Sequence, residues 1–306
     1  MVEKIFHKPV LLNKVIELLV VKKGGKYIDA TVGGGGYALE IVKRGGKILG
    51  IDCDPEAIQA AGENLSLACP PLKQEKFASR VNSSWRLVRG NFREIKKIAQ
   101  KEGFGRVEGI IFDLGVSWHQ LEEGRRGFSF RKEGPLDMRM DPSLKITAGD
   151  LVNNLSENEL TKIFLKFGEE KRARRIAEAI CRARQLKPIT TTQELVEIIL
   201  RALPKGKRKK HPARKCFQAL RITVNNELEN LKEALPQAED LLKPGGRLLI
   251  ISFHSLEDRI VKNFFNEEFK KGKLKILTKK PIRPTEEEKK ENPKSRSAKL
   301  RVAEKI

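Results

Sequence analysis

Residues 26–54 constrain the fold most strongly, because they have the pattern of one strand–turn–helix–strand unit. The stretch reads KYIDATVGGGGYALEIVKRGGKILGIDCD, with a short apolar strand before the four glycines Gly33 to Gly36 and a helical pattern after them. Glycines permit a tight turn and a close approach of the backbone to a bound molecule. A second apolar run ends in Asp52, where such units bind the two hydroxyls of a ribose. The pattern therefore predicts a nucleoside-binding unit.

Two classes of cofactor are compatible with this glycine-rich turn. The spacing Gly33-x-Gly35-x-x-Ala38 satisfies the dinucleotide fingerprint, which indicates a nicotinamide or flavin enzyme. The same run fits the looser Asp-x-x-x-Gly-x-Gly turn of S-adenosylmethionine methyltransferases, in which the glycines admit the methionine part of the cofactor instead of a pyrophosphate. The turn alone leaves both classes open.

The charge balance predicts a polyanionic partner. The chain has 306 residues, with 62 Lys and Arg against 40 Asp and Glu, for a net charge of +22. RNA, DNA and an anionic membrane surface all fit such an excess. Residues 205–215 read KGKRKKHPARK, and a basic run of this density predicts a phosphate-binding segment.

Cysteine spacing and the first residues argue against several other classes. The cysteines have no paired spacing, so we expect neither a zinc site nor a disulfide framework: Cys53, Cys69, Cys181 and Cys216. Charged residues interrupt the apolar residues near the start, which disfavours a signal peptide or a membrane span. We therefore expect a cytoplasmic protein without a metal.

The most informative acid outside the glycine-rich unit is Asp113. It follows the apolar run 107–112, which is typical of a fully buried strand. In open α/β sheets the reactive centre lies beyond the carboxyl ends of the central strands, so Asp113 is a candidate catalytic residue. The alternative is an acid that caps the next helix or belongs to a turn. Phe92, which follows the strand at 85–88, is expected either in the core or against an adenine.

The alternation of predicted strands and helices stops after residue 117 and resumes near residue 242. Only helical patterns occupy 147–203, which indicates a helical insertion. Near the end, 273–282 and 299–304 alternate like two antiparallel edge strands, and the polar stretch 284–297 between them is expected to be mobile. A closing antiparallel hairpin is characteristic of the methyltransferase variant of the Rossmann architecture. Ser255 and Asp258 are spaced as a capping box for the helix before that hairpin.

Several motifs together resemble one bacterial family. They are DATVGGGGYA, DLGVSWHQLEEGRRGFSFRKEGPLDMRMD, HPARKCFQALRITVNNELE, FHSLEDRIVK and NPKSRSAKLR. The family is ribosomal RNA small subunit methyltransferase H, which modifies N4 of a cytosine in 16S ribosomal RNA, and the resemblance runs from His7 to the C-terminus. It implies S-adenosylmethionine as cofactor, and 16S ribosomal RNA or the small ribosomal subunit as partner.

The resemblance also implies a fold and a division into domains. The fold is α/β, a class I S-adenosylmethionine-dependent methyltransferase sheet of Rossmann type, with a closing antiparallel hairpin and an inserted helical domain. Residues 1–120 and 213–306 are the two parts of the methyltransferase domain, and residues 121–212 are the helical insertion.

Site residues are carried over by motif. The resemblance places the methionine part of the cofactor at Gly35, Gly36 and Tyr37, its ribose at Asp52 and its adenine side at Phe92. It places Asp113 and Gln120 in the pocket near the sulfonium. The sequence departs from the family pattern at position 37, where the family usually has His, at Trp118-His119 in place of Ser-Pro, and at Glu122 in place of Asp.

The implied chemistry is an in-line displacement, in which the exocyclic amine of cytosine attacks a methyl group on a positively charged sulfur. The protein must align the amine, accept its hydrogen bonds and take up a proton. Asp113 and the carbonyls of 114–116 are the best acceptors in this sequence. The target base must leave its stack, and the aromatic side chains expected to hold it are Trp118, Phe128 and Phe130.

Two other functions stay open from the residues alone. The first is a nicotinamide-type Rossmann oxidoreductase, which only the glycine spacing favours. The second is a non-catalytic RNA-binding or ribosome assembly factor that keeps the fold and the basic charge, and Tyr37 is the feature that favours it.

Overall fold

The computed structural model describes residues 9–68, 84–204 and 211–306. It divides into two compact units: Val116–Glu227, and the rest of the chain on either side. The domain bounds at 121 and 212 stay a prediction from the sequence. Cys69 and the densest part of the predicted basic run, 205–210, lie outside the described residues.

The first unit is built on one sheet. Within the described residues its strands are β1 Lys26–Asp29, β2 Lys47–Asp52, β3 Trp85–Arg89, β4 Val107–Asp113, β5 Leu242–Ser252, β6 Leu274–Ile276 and β7 Lys299–Lys305. The strand order is β3-β2-β1-β4-β5-β7-β6. Strands β1 to β5 are parallel, and β7 runs antiparallel between β5 and β6. This arrangement confirms the predicted α/β methyltransferase sheet with a closing antiparallel hairpin.

Helices cover both faces of this sheet. The helices of the first unit are α1 Leu12–Leu19, α2 Gly36–Lys43, α3 Pro55–Ala68, α4 Ile95–Lys101, α11 Glu227–Leu241, α12 Ser255–Lys270 and α13 Glu286–Glu291. One buried cluster joins α4, α11 and α12 to the sheet, and the other joins α1, α2 and α3 to its opposite face. Because alternate strand residues such as Ile110 and Ile111 enter different clusters, the central strands are buried on both sides.

The polar stretch 284–297 folds, although the sequence pattern predicts mobility. It forms α13 and the 3-10 helix Pro293–Ser297. The Thr285 side chain caps α13, and Glu288 Oε1 accepts a hydrogen bond of 2.5 Å from the Leu11 amide. Acidic residues in its first turn and lysines in its last favour this short helix through the helix dipole.

The helix before the hairpin begins one residue earlier than predicted. Its N-cap is His254, and the capping box joins His254 to Glu257. The predicted pair of Ser255 and Asp258 is therefore wrong. Asp258 instead faces β7, where Lys299 Nζ lies 3.0 Å and Arg301 Nε lies 2.6 Å from its carboxylate.

The second unit is helical, as predicted. Its helices are α5 Trp118–Glu122, α6 Ala148–Asn154, α7 Glu157–Lys166, α8 Ala173–Leu186, α9 Thr192–Ala202 and α10 Arg214–Asn225. They enclose one apolar cluster, which includes Phe164, Ile176 and Leu220. Capping boxes begin α6 at Thr147 and α7 at Ser156. Across the described parts of the chain, we find no helix long and apolar enough to span a membrane.

Candidate active site

Three carboxylates stand at the carboxyl ends of adjacent strands. Asp29 ends β1, Asp52 ends β2 and Asp113 ends β4. The strand order reverses between β1 and β4. Open α/β sheets bind their ligands outside the carboxyl ends of the strands at such a reversal. The fold therefore places Asp29 and Asp113 on the two sides of the expected ligand crevice, and Asp52 beside them.

The glycine-rich turn leads from β1 into α2 along this edge. Gly33 and Gly35 have positive φ angles of 49° and 82°, which side chains rarely tolerate. A Cβ on Gly36 would lie 2.1 Å from Pro9 Cγ, so this glycine is required for packing against the preceding segment. The turn thus needs glycine for its own geometry at each of these positions.

Asp52 holds this turn in place. Its Oδ2 accepts a hydrogen bond of 3.0 Å from the Gly33 amide, and its Oδ1 accepts one of 3.0 Å from the Asp54 amide. Each carboxylate oxygen can accept a second hydrogen bond. Asp52 is thus compatible with the predicted contact to ribose hydroxyls.

Asp113 is anchored through its backbone and has a free carboxylate oxygen. Its amide donates a hydrogen bond of 2.7 Å to Thr31 Oγ1 in the loop after β1. Its Oδ2 lies 3.3 Å from the Tyr37 hydroxyl, and its buried Oδ1 has no partner among the described residues. The residue does not cap the next helix, because the N-cap of α5 is Ser117. The alternative of a capping acid is wrong.

Burial makes all three carboxylates weaker acids than usual. Burial raises the pKa of Asp113 to about 8, and the negative charges of Asp29 and Glu257 add to the rise. Burial also raises the pKa of Asp29 to about 7, with a contribution from the charge of Asp52. The pKa of Asp52 rises to about 6 through burial, and the amides of Asp54 and Gly33 limit that rise.

Tyr37 is buried, and its hydroxyl adjoins the carboxylate of Asp113. Its hydroxyl is 2.5 Å from the Val10 carbonyl and 3.3 Å from Asp113 Oδ2. The side chain is thus directed to these two groups. The predicted contact between position 37 and the cofactor stays a prediction.

Phe92 and Gln120 occupy different units. Phe92 is half-buried at the start of a 3-10 turn after β3, with its ring edge-on to Phe112 at 5.6 Å between centroids. The ring packs against the core beyond the end of β3. Gln120 lies in the second unit, where its Oε1 accepts a hydrogen bond of 3.0 Å from the Ser117 amide in the α5 capping box. The predicted roles of both residues stay predictions.

The three predicted stacking aromatics have different surroundings. Trp118 is 44% exposed on α5, whereas Phe128 is buried in the apolar cluster of the second unit. Phe130 is half-buried, and the ring of His211 stacks on it at 4.7 Å between centroids. Trp118 is thus the most accessible of the three for a base.

The charges at the strand ends discriminate between the two cofactor classes. Each of the carboxylates Asp29 and Asp113 has another carboxylate as its charged neighbour. A pyrophosphate would be repelled by these carboxylates once they ionise. S-adenosylmethionine carries an ammonium and a sulfonium, whose positive charges favour the ionised carboxylates, together with one carboxylate of its own. The unpartnered Oδ1 of Asp113 and Oδ2 of Asp29 are acceptors suited to such a cation. The residues present fit S-adenosylmethionine.

Sequence reasoning gave no role to Asp29, Thr31 and Val10. Asp29 is the acid of the Asp-x-x-x-Gly-x-Gly turn, so the motif itself offered a signal. The contact of Thr31 with Asp113 follows only from the pairing of β1 with β4, across 82 positions of sequence. The carbonyl of Val10 has no signature in a sequence.

The raised pKa of Asp113 leads to an expected dependence of stability on pH. Asp113 has a pKa near 4 in the unfolded chain and about 8 in the folded protein. The proton on Asp113 therefore stabilises the folded protein fully below pH 4, and this contribution is lost as the pH rises from about 4 to about 8. Asparagine resembles the protonated acid and cannot ionise. We expect the melting temperature of Asp113→Asn, relative to wild type, to increase by roughly 3–6 °C between pH 6 and pH 9.

Thermal melting of the protein without cofactor checks this expectation. Asp258→Asn is the matched control, because the ion pairs with Arg301 and Lys299 lower the pKa of Asp258. That variant should melt below wild type throughout the same range. A difference between Asp113→Asn and wild type that stays constant with pH would contradict the assigned environment of Asp113.

Comparison with known proteins agrees with this geometry. A family model described as the MraW methylase family matches residues 4–306. Three similar curated proteins bear the name ribosomal RNA small subunit methyltransferase H. The one from Carboxydothermus hydrogenoformans is 48% identical and the one from Heliobacterium mobile 47%, over 98% of this chain and 98% and 99% of theirs. The one from Coprothermobacter proteolyticus is 47% identical over 100% of this chain and 98% of its own. The chain therefore belongs to the MraW methylase family.

Proposed function

We propose that the protein transfers a methyl group from S-adenosylmethionine to the exocyclic N4 of a cytosine in 16S ribosomal RNA. The observation that carries the proposal is the buried carboxylate of Asp113, which presents an unpartnered oxygen at the reversal of strand order. The relatives of this chain are named as methyltransferases of small-subunit ribosomal RNA. The proposal places the protein in the cytoplasm with its RNA.

The cofactor is assigned to the edge formed by β1, β2 and β4. S-adenosylmethionine supplies a methyl group on a positively charged sulfur. We assign its ribose hydroxyls to Asp52, its methionine part to the turn at Gly35, Gly36 and the backbone of Tyr37, and its adenine side to Phe92. The positive φ of Gly35 and the contacts of Asp52 with the amides of Gly33 and Asp54 support this surface.

Asp113 is assigned to the proton. The lone pair of a cytosine amine is delocalised into the ring, so the amine is a poor nucleophile. A carboxylate that accepts a hydrogen bond from the amine orients it, and the same carboxylate takes the proton that the amine releases. Burial assists the second task, because it raises the affinity of Asp113 for a proton.

The surface of the second unit supports an RNA partner. Lys171, Arg172 and Arg175 are exposed near the start of α8, and none of their side chains has an acidic partner among the residues that the structure describes. Adjacent cations without counter-charges repel one another, and bound phosphates neutralise them. Such binding is also favoured because the nucleic acid releases its condensed counterions. These cations are part of the net charge of +22, and the basic run around 205–215 contributes to the same excess.

Tyr37 does not favour the non-catalytic alternative. The tyrosine leaves the carboxylate of Asp113 in place and contacts it through a hydroxyl. The departure from histidine at this position is therefore compatible with turnover.

Methyl transfer to purified ribosomal RNA tests the proposed function. The protein and S-adenosylmethionine are incubated with unmodified 16S ribosomal RNA and, separately, with small subunits from cells that lack this activity. Nuclease digestion and mass spectrometry with nucleoside standards should detect N4-methylcytidine in at least one substrate, and far less with Asp113→Asn. Methylation at carbon 5 or on the ribose would contradict the assigned atom. No transfer to either substrate would contradict the function.

A further inference from the structure

The hydroxyl of Tyr37 lies between two acceptors. It is 2.5 Å from the carbonyl oxygen of Val10 and 3.3 Å from Oδ2 of Asp113. A phenol has one proton to donate and lone pairs that accept. Burial, together with the charges of Asp113, Asp29 and Glu288, raises the pKa of Tyr37 well above its ordinary value. The hydroxyl therefore keeps its proton, and it cannot donate to both acceptors at once.

We propose that Tyr37 is a positioning residue for Asp113, whose hydroxyl proton turns to the Asp113 carboxylate when that group is ionised and to the Val10 carbonyl when Asp113 is protonated. In the second arrangement the Asp113 hydroxyl donates to the Tyr37 oxygen, so a hydrogen bond joins the two side chains in both states. Tyr37 neither gains nor loses a proton. The proton that arrives on Asp113 is the one released by the substrate amine, so the inference rests on the proposed function.

The Val10 carbonyl is a fixed acceptor. The next residue, Leu11, has a positive φ of 54° and donates its amide to Glu288 on α13. Pro9 packs so closely on Gly36 that a Cβ there would overlap it. Contacts on both sides thus hold the carbonyl above the start of α2, where it stays in reach of Tyr37 in either state of Asp113.

The groups around Asp113 explain the need for such a partner. Asp29 from β1 and Glu257 from α12 both act on Asp113 with negative charge, and Tyr37 from α2 is the hydrogen-bond donor to it. Donation to an ionised carboxylate is stronger than donation to a neutral group. The hydroxyl therefore favours the ionised state of Asp113, which is the state that accepts a proton.

Tyr37→Phe tests the inference, because it keeps the buried ring and removes only the hydroxyl. Single-turnover methyl transfer to pre-bound RNA is followed from pH 5.5 to pH 9.5. The wild-type rate should rise with pH until Asp113 is ionised. In Tyr37→Phe the midpoint of this rise should move upward by about one pH unit, because the ionised state loses its stronger hydrogen bond.

The chain offers a matched control in its other tyrosine. Tyr27 is fully buried in the same apolar cluster, and its hydroxyl accepts a hydrogen bond of 2.7 Å from the Lys22 amide. Tyr27→Phe should lower the melting temperature and leave the pH midpoint unchanged. An unchanged midpoint in Tyr37→Phe, or an equal shift in Tyr27→Phe, would overturn the inference.

A second measurement decides the matter when activity is too low to titrate. The pH at which the melting-temperature difference between Asp113→Asn and its parent stops rising reports the ionisation of Asp113 in the folded protein without any reaction. This pH should be about one unit higher in the Tyr37→Phe background than in wild type. The same pH in both backgrounds would also overturn the inference. Absence of methyl transfer by wild type would instead contradict the proposed function, while this thermal test still reports on Tyr37.

Discussion

Replacement of Asp113 by asparagine should slow single-turnover methyl transfer by roughly 10²–10⁴, the range for loss of a positioned proton acceptor. Asparagine preserves the size of the side chain, but its amide cannot take up the proton that the amine releases. The Asp113 backbone contact with Thr31 does not involve the side chain, so the end of β4 should keep its position. The rate on pre-bound RNA, with saturating cofactor, measures this step.

A neighbouring acid provides the control for this variant. Asp54 is buried two residues beyond β2, and its Oδ1 accepts a hydrogen bond of 3.0 Å from the Glu56 amide. Asparagine can accept the same bond, so Asp54→Asn should methylate at the wild-type rate. RNA affinity should be the same in both variants. A normal single-turnover rate in Asp113→Asn would remove Asp113 from the chemistry and leave the backbone carbonyls of 114–116 as acceptors.

Asp52→Ala should weaken binding of S-adenosylmethionine about ten- to a hundredfold, since a hydrogen bond to a charged group contributes about 1.5–3 kcal/mol. Calorimetry on the folded variant gives the affinity. The carboxylate also accepts hydrogen bonds from the amides of Gly33 and Asp54, so the variant removes support for the turn as well as the ribose contact.

A cofactor analogue separates these two effects. S-adenosylmethionine without its 2′ and 3′ hydroxyls offers no ribose hydroxyl to Asp52. If Asp52 binds the ribose, wild type should prefer the natural cofactor and Asp52→Ala should bind the two molecules almost equally. A loss of affinity of the same factor for both ligands would assign Asp52 to the turn alone. Asp54 caps the start of α3 through the Glu56 amide, so Asp54→Ala should lose about 1 kcal/mol of stability and keep its affinity for the cofactor.

Local patterns were sufficient to predict the frame of the site. The apolar runs that become β1, β2 and β4 each end in an acid, and parallel strands bring such acids to one edge. Prediction of Asp52 and Asp113 as neighbours of the crevice needed only this rule. The closing hairpin and the helical insertion were likewise predicted, because the spacing of apolar residues changes where each of them begins.

Contacts between distant segments were beyond such patterns. Tyr37 meets Asp113 across 76 positions and Val10 across 27, and nothing in the spacing of these residues indicates either contact. The polar stretch 284–297 looked mobile by composition, whereas tertiary contacts such as that between Glu288 and Leu11 hold it in place. Histidine at the start of α12 was missed because serine is the commoner cap.

The position of β7 has a consequence for synthesis of the chain on a ribosome. Strand β6 is made before β7, yet in the described sheet it pairs only with β7, which lies between it and β5. Until residues 299–305 emerge, the edge of β5 stays open and β6 has no partner. The helical unit, whose contacts lie within one continuous stretch, has no such delay. The nascent chain thus acquires its insertion early, whereas its catalytic sheet closes only after translation has passed β7.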